Sequence, residues 1–220
     1  MTAPGPAGRP DDGPGAPART RRPEADAPHR LATPPADMLL TTPRLILRRF
    51  RTDDAAALAA YRSDPDVARY QGWSAPVPPD AARGLARAFA AGSPERPGWF
   101  QYAVTLGAGS ELVGDIGVCL HDDLMQAHLG YTFAPRHQGL GYATEAVGAV
   151  LADLFGPRGL HRVSAECDAR NERSAALLRR LGFTQEGHRR EAAWMKGEWT
   201  DELLFGLLAA DWRKNGGPGA

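Results

Sequence analysis

The stretch from Tyr131 to Val147 constrains this chain more than any other: a strand-like run ends, a proline interrupts it, and two glycines lead into an amphipathic helix. The strand gives out near Phe133, and Pro135 breaks it. The run Gln138-Gly139-Leu140-Gly141-Tyr142-Ala143 then opens a helix that gathers Ala146, Val147, Val150, Leu151 and Leu154 on one side. A helix start leaves several backbone N–H groups without intrahelical acceptors and carries partial positive charge. Glycine at 139 and 141, with small Ala143, clears side chains away from those donors. The backbone from Gln138 to Thr144 is therefore expected to cradle a phosphate, with Arg136 or His137 adding charge nearby. A dinucleotide fingerprint would need a third glycine where Thr144 stands, and a P-loop would need Gly-Lys-Ser/Thr, which is absent. An ordinary helix start after a tight turn is the bland alternative.

Strands and helices alternate on both sides of this turn. A first strand reads as "RLILRRF" around Leu45 to Phe50, and Thr52 and Asp53 offer N-cap chemistry for a helix carrying Leu58 and Tyr61. A loop rich in Pro, Gly and Trp spans Val67 to Pro79, and a second helix opens at Pro79-Asp80 with Leu85 and Phe89 on one side. Strands are expected at Phe100–Leu106, Leu112–Leu120 and Ala127–Phe133. After the central helix come a strand at His161–Cys167, a helix from Glu172 to Leu181 stopped by Gly182, and two strands around Gln185–Met195 and Glu202–Ala209. The pattern implies an α/β or α+β domain with a mixed sheet over residues 38–213. Residues 1–37 hold nine of the 19 prolines and almost no large apolar side chain, so a disordered tail is expected there, with a second flexible tail at 214–220.

Acidic and basic residues balance at 26 each, so no overall field draws the chain to nucleic acid or anionic lipid. No apolar run is long enough to span a bilayer, and the N-terminus lacks a secretory apolar core; a cytoplasmic protein without membrane or nucleic-acid partners is expected. Cys119 and Cys167 both fall in strand-like runs and read as buried free thiols, with no context marking a nucleophile.

The spacing Gln138-x-x-Gly141-x-Ala143 resembles the coenzyme A pyrophosphate loop of the GNAT (Gcn5-related) N-acetyltransferases. "TPRLILRRF" at Thr42–Phe50, "LGYTFAPRHQGLGYATEA" at Leu129–Ala146, "RNERSAALLRRLGF" at Arg170–Phe183 and the closing "EGHRR…DELLFGLL" look like its RimJ/RimL branch of ribosomal-protein N-terminal acetyltransferases. The resemblance covers about Thr41 to Trp212. It implies a mixed, twisted sheet of six or seven strands flanked by helices, with the two middle strands splayed to form the acetyl-CoA cleft. It also implies acetyl-CoA as cosubstrate, no metal, an amine acceptor that is a protein N-terminus or a small molecule, and a monomer or homodimer.

Four tasks then need residues: anchoring the donor, polarising its carbonyl, neutralising the amine and protonating the thiolate. By resemblance, Tyr131, Thr132 and Phe133 offer their backbone edge to the pantetheine and an N–H to the thioester oxygen. Gln138, Gly139, Leu140, Gly141, Tyr142, Ala143 and Thr144 hold the pyrophosphate. Asn171 and Ser174 follow the family's Asn-x-x-Ser pattern, with Asn171 touching the cofactor or substrate and Ser174 near the sulfur. A plain helix cap and a first-turn polar residue are the alternative reading. His128 occupies the place where some relatives carry a catalytic Glu, and a neutral His could draw the amine's proton through a water. An ordinary strand His is the alternative. Ala193 stands where other relatives carry a carboxylate, with Glu191 two residues earlier on the same expected strand face, so the base is unassigned. Tyr70, Trp73, Glu191 and Trp194 are expected to border the acceptor pocket. A non-catalytic acyl-CoA sensor is the rival function.

Overall fold

The computed structural model describes residues 37–107 and 111–216. Eight strands form one open sheet, in the order β1-β2-β3-β4-β5-β6-β8-β7. They are β1 Met38–Thr41, β2 Leu45–Arg49, β3 Gly98–Leu106, β4 Glu111–Leu120, β5 Gln126–Phe133, β6 Arg162–Asp168, β7 Thr184–Met195 and β8 Glu198–Leu208. All neighbours run antiparallel except β5 and β6, which the crossover helix α4, Tyr142–Phe155, joins as a parallel pair. The sheet thus has one strand more than the upper expected number. The extra one is β1, a four-residue edge strand too short to show an alternating pattern in the sequence.

Helices cover both faces. On one face α4 and α5, Glu172–Arg180, bury Ala146, Val147, Val150, Leu154, Ala175 and Leu178 against Ile116, Val118, Leu129 and Leu207. Opposite, α1, Ala55–Arg62, and α3, Pro79–Ala91, pack Leu58, Tyr61 and Ala86 against Ala103 and Leu112. A four-residue helix α2, Pro65–Ala68, interrupts the loop expected from Val67 on; the Asp64 carboxylate caps it by accepting the Asp66 and Val67 N–H groups. The final helix α6, Ala209–Lys214, docks Trp212 on Phe155.

Several local expectations need correction. Asp54, rather than Thr52 or Asp53, organises the start of α1: its carboxylate accepts the Arg51 N–H and takes both guanidinium nitrogens of buried Arg48 at 2.8 Å. Cys119 and Cys167 are half-buried rather than buried. Glu191 does not share a simple strand face with Ala193, because a register shift between Arg189 and Ala193 and a φ of +47° at Glu191 break the alternation. The tail expected at 1–37 lies outside the described residues except for Asp37. The C-terminal one is described only through Gly216, with Lys214 inside α6.

Candidate functional site

Register explains how the centre of the sheet opens. β5 pairs with β4 along its whole length, from Ala127 opposite Leu120 to Phe133 opposite Gly114. Its pairing with β6 covers only Gln126 to Leu129, ending at Leu129 opposite Ala165. Beyond that point β6 pairs only with β8, through Glu166, Cys167 and Asp168. Gly130, Tyr131, Thr132 and Phe133 therefore carry an edge without a strand partner in the middle of the sheet, and their backbone groups need an acceptor or donor from elsewhere.

The glycine turn lies at the end of this edge. Gly139 and Gly141 take φ values of +74° and +81°, which side-chain-bearing residues adopt only with strain. Gly141 is the N-cap of α4 with no side-chain cap, and the first helical bond runs from Glu145 N–H to Gly141 O. The N–H groups of Tyr142, Ala143 and Thr144 thus face the mouth of the turn unspent. The Gln138 amide ties the turn to the strand by donating to Phe133 O at 2.9 Å. Exposed donors at a helix start, with no side chain over Gly139, are what a diphosphate needs for close approach.

Charge around the turn does not come from the residues expected. Arg136 reaches Glu111 at 2.9 Å, and His137 is buried against the same carboxylate. Instead Arg44 donates to Leu140 O at 2.9 Å, lies over the Tyr142 ring and pairs with Glu145 at 2.6 Å. Burial works to raise the Glu145 carboxyl, but hydrogen bonds from Thr42 and Arg44 outweigh it and hold the group below its ordinary value. Arg173 donates to the Gln138 amide oxygen and Arg180 to Thr144 Oγ1, so two more guanidiniums flank the turn on neutral partners.

On the α4/α5 side of the gap, three of the expected residues meet. Asn171 Oδ1 caps α5 by accepting the Ser174 N–H at 3.1 Å. Ser174 Oγ lies 2.7 Å from Tyr131 Oη, and Tyr131 Oη also reaches Ser174 O at 3.2 Å. Burial pushes the Tyr131 phenol far above its usual range, so it stays protonated. Burial likewise raises the Cys167 thiol, against a downward pull from Ser174, making it a poor nucleophile. The phenol had been expected to contribute only backbone. Its contact with Ser174 joins residues 43 apart in sequence and left no local signal.

His128 lies on the other face of β5. Ser164 Oγ reaches Ala127 O at 3.3 Å and His128 Nδ1 at 3.2 Å; with the serine proton on Ala127 O, Nδ1–H donates to the serine and Nε2 is left as the acceptor. Burial lowers the His128 pKa, against an upward pull from Glu166. The imidazole is therefore neutral near pH 7. The expected acceptor-pocket residues lie on the segment after α2 and on the β7–β8 hairpin. Trp73 donates its indole N–H to Arg62 O and stacks under that guanidinium, while Tyr70 lies between Arg69 and Arg170. Trp194 is exposed and edge-to-face with Trp199 on the β7–β8 hairpin, whose tip reaches α2 through Lys196 and Ala68 O. The Glu191 N–H donates to Asp201. Among the described residues no cluster of His, Cys, Asp or Glu is suited to a metal, and no helix is long and apolar enough to cross a membrane.

Comparison with known proteins gives one consistent match. The model of the acetyltransferase (GNAT) domain matches residues 44–184. The uncharacterized N-acetyltransferase YoaA of Bacillus subtilis is 32% identical over 171 residues, covering 77% of this chain and 96% of that protein. The crystal structure of a GNAT-family acetyltransferase from Bacillus anthracis superimposes with a TM-score of 0.72 at 26% identity, covering 79% of this chain and 99% of that one. The [ribosomal protein uS5]-alanine N-acetyltransferase of Escherichia coli is 35% identical over 85 residues, 39% of this chain and 44% of that protein.

Proposed function

This chain belongs to the GNAT acetyltransferase family, and from that premise we propose that it passes the acetyl group of acetyl-CoA directly to a primary amine in a ternary complex. The half-paired β5 carries the reading. Its free edge from Gly130 to Phe133 leads to the donor-rich turn at Gly139–Thr144, so a pantetheine amide chain laid along the edge would bring its diphosphate to the helix start.

The residues divide the chemistry between the two faces of β5. Backbone N–H groups of the unpaired edge polarise the thioester oxygen. Neutral His128 Nε2 takes a proton from the acceptor ammonium through a water, and the uncharged amine attacks. The new C–N bond forms as the C–S bond breaks. Of the two protons the amine gives up, one ends on the sulfur and one in solvent. Ser174 Oγ–H is in place to supply the sulfur and regains its proton from solvent, while the Tyr131 phenol, which stays protonated, holds the serine hydroxyl in position.

The favoured acceptor is a protein or peptide N-terminus. An α-amino group has a pKa of roughly 8, so a modest base suffices for it, whereas a lysine amine asks for much more. The partial similarity to the uS5-alanine acetyltransferase, together with the RimJ/RimL-like motifs, supports this choice. Such a reaction belongs in the cytoplasm. Titration calorimetry with acetyl-CoA should give saturable heat. Gly141→Glu should weaken binding by at least about 100-fold through side-chain bulk and like charge at the diphosphate site, with an unchanged circular dichroism spectrum. Wild-type affinity in that variant would reject the turn as the donor site.

A further inference from the structure

Across the sheet from Ser174, three strands combine to leave a bare patch. The register sets Gln101 of β3 opposite Gly117 of β4, and Gly117 opposite Gly130 of β5. Trp99, Cys119 and His128 form the next row on the same face, and Ala103, Asp115 and Thr132 the row beyond. Glycine inside a strand weakens it and marks a close approach of something else. Two in adjacent strands, side by side, make a floor that Gln101 and Trp99 cover over Gly117 and that lies open over Gly130.

The surroundings of that floor are specific. A Cβ at Gly117 would lie 2.8 Å from Gln101 Oε1 and 3.1 Å from the Trp99 ring, so the amide and the indole converge over this glycine. A Cβ at Gly130 would meet nothing within 4 Å, so the space above it is open. Trp99, 59% exposed, also stands edge-on to His128 with ring centroids 6.0 Å apart. Gly130 is, in addition, the first residue of β5 past its last partner in β6. The floor ends at the gap through which a thioester carbon would be reached.

A buried charge network fixes which way the Gln101 amide points. Asp115, 1% exposed, accepts from Tyr61 Oη, from Arg62 Nη2 at 3.1 Å and from Gln101 Nε2. A carboxylate that already receives a phenol and a guanidinium only accepts. The amide must therefore turn its N–H₂ inward to Asp115 and present Oε1 over the glycine floor. Burial holds the Tyr61 phenol well above its ordinary value, and Arg62 is stacked on Trp73, so neither partner leaves.

We propose that the Gln101–Gly117–Gly130 slot, walled by Trp99 and His128, seats the attacking primary amine, with Gln101 Oε1 accepting one of its N–H bonds. The inference rests on the acetyltransferase reading and names the acceptor subsite of that site. A neutral amide oxygen orients an amine without the ion pair that would hold it as an ammonium. The proton is left for His128, and Trp99 offers its ring face to the incoming cation. The glycine floor admits a slender head group, so the acceptor is a primary amine at the end of an unbranched or N-terminal chain. Beside the slot, at Cys119, an open groove of about 520 Å³ lined by Gly98, Cys119, Leu120, His121, Asp122 and Asp123 would take the rest of that chain.

The test compares wild type with Gln101→Met, which keeps length and loses the acceptor atom, and Gly130→Ala, which adds a methyl above the floor. Methylamine and an alanine-initiated hexapeptide serve as acceptors, with thiol release as the readout and acetyl-CoA calorimetry beside it. Gln101→Met should keep the acetyl-CoA Kd. Gln101→Met should lower kcat/KM by about 10-fold or more on both amines, the scale of one lost hydrogen bond to a charged or developing-charge group. Gly130→Ala should raise KM for the hexapeptide more than for methylamine. Unchanged kinetics in both variants would overturn the slot, as would a wild-type protein that binds acetyl-CoA and acetylates neither amine. Absence of acetyl-CoA heat would instead remove the donor reading beneath it.

Discussion

The two halves of β5, four residues each, have opposite fates. From Gln126 to Leu129 the strand is hydrogen-bonded on both edges; from Gly130 to Phe133 it is bonded on one. The difference teaches that this site is made by where pairing stops rather than by a special residue. β6 leaves β5 after Ala165 and stays with β8, so the backbone of Gly130 to Phe133 is left without a strand partner on that side. Stability should accordingly reside in the zipped part and function in the open one.

Three substitutions probe that division, in falling order of expected effect. Leu207 of β8 is 1% exposed and pairs with Val163 of β6, well inside the zipped region. Leu207→Ala should cost about 2–5 kcal/mol in urea unfolding while acetyl-CoA affinity in the folded protein stays at wild type. A loss of affinity matching the loss of stability would erase the distinction. On the open side, Ser174→Ala should lower kcat by roughly 10- to 100-fold with little change in unfolding midpoint or acetyl-CoA Kd. Wild-type turnover would take the serine out of the chemistry and leave it as a helix residue. His128→Gln should have the mildest effect at neutral pH. In the wild type, kcat/KM should fall as pH drops through the His128 pKa, which burial sets below the ordinary histidine value. Below that pH the imidazole is protonated and accepts nothing. The variant should lose this limb, and a profile retaining it would assign the proton to another group.

The glycine turn was readable in the sequence because its determinants are local. Gly139, Gly141 and the apolar stripe of α4 lie within a few residues of one another, and Gly182, whose φ is +90°, ended α5 as expected. Long-range geometry was not readable. The Tyr131–Ser174 contact, the Arg44–Glu145 pair and the alignment of Gln101 with Gly117 and Gly130 all depend on register between strands, which residue periodicity does not specify. One clue was present: Gly117 and Gly130 interrupt two otherwise well-formed strands, a cost that needs a reason. The short elements β1, α2 and α6 escaped notice because four to six residues carry too little pattern to register. Glu191 departs from the expected strand face because a bulge between Arg189 and Ala193 breaks the alternation.

The seam between β5 and β6 turns the sheet into a partition with one window. On the proposed reading the donor keeps to the α4 side and the recipient to the Gln101 side, so neither has to wait for the other to vacate. Evolution can then retailor the recipient's antechamber, strand by strand, without disturbing the grip on the donor. A lineage built on this plan can change its clientele and keep its currency.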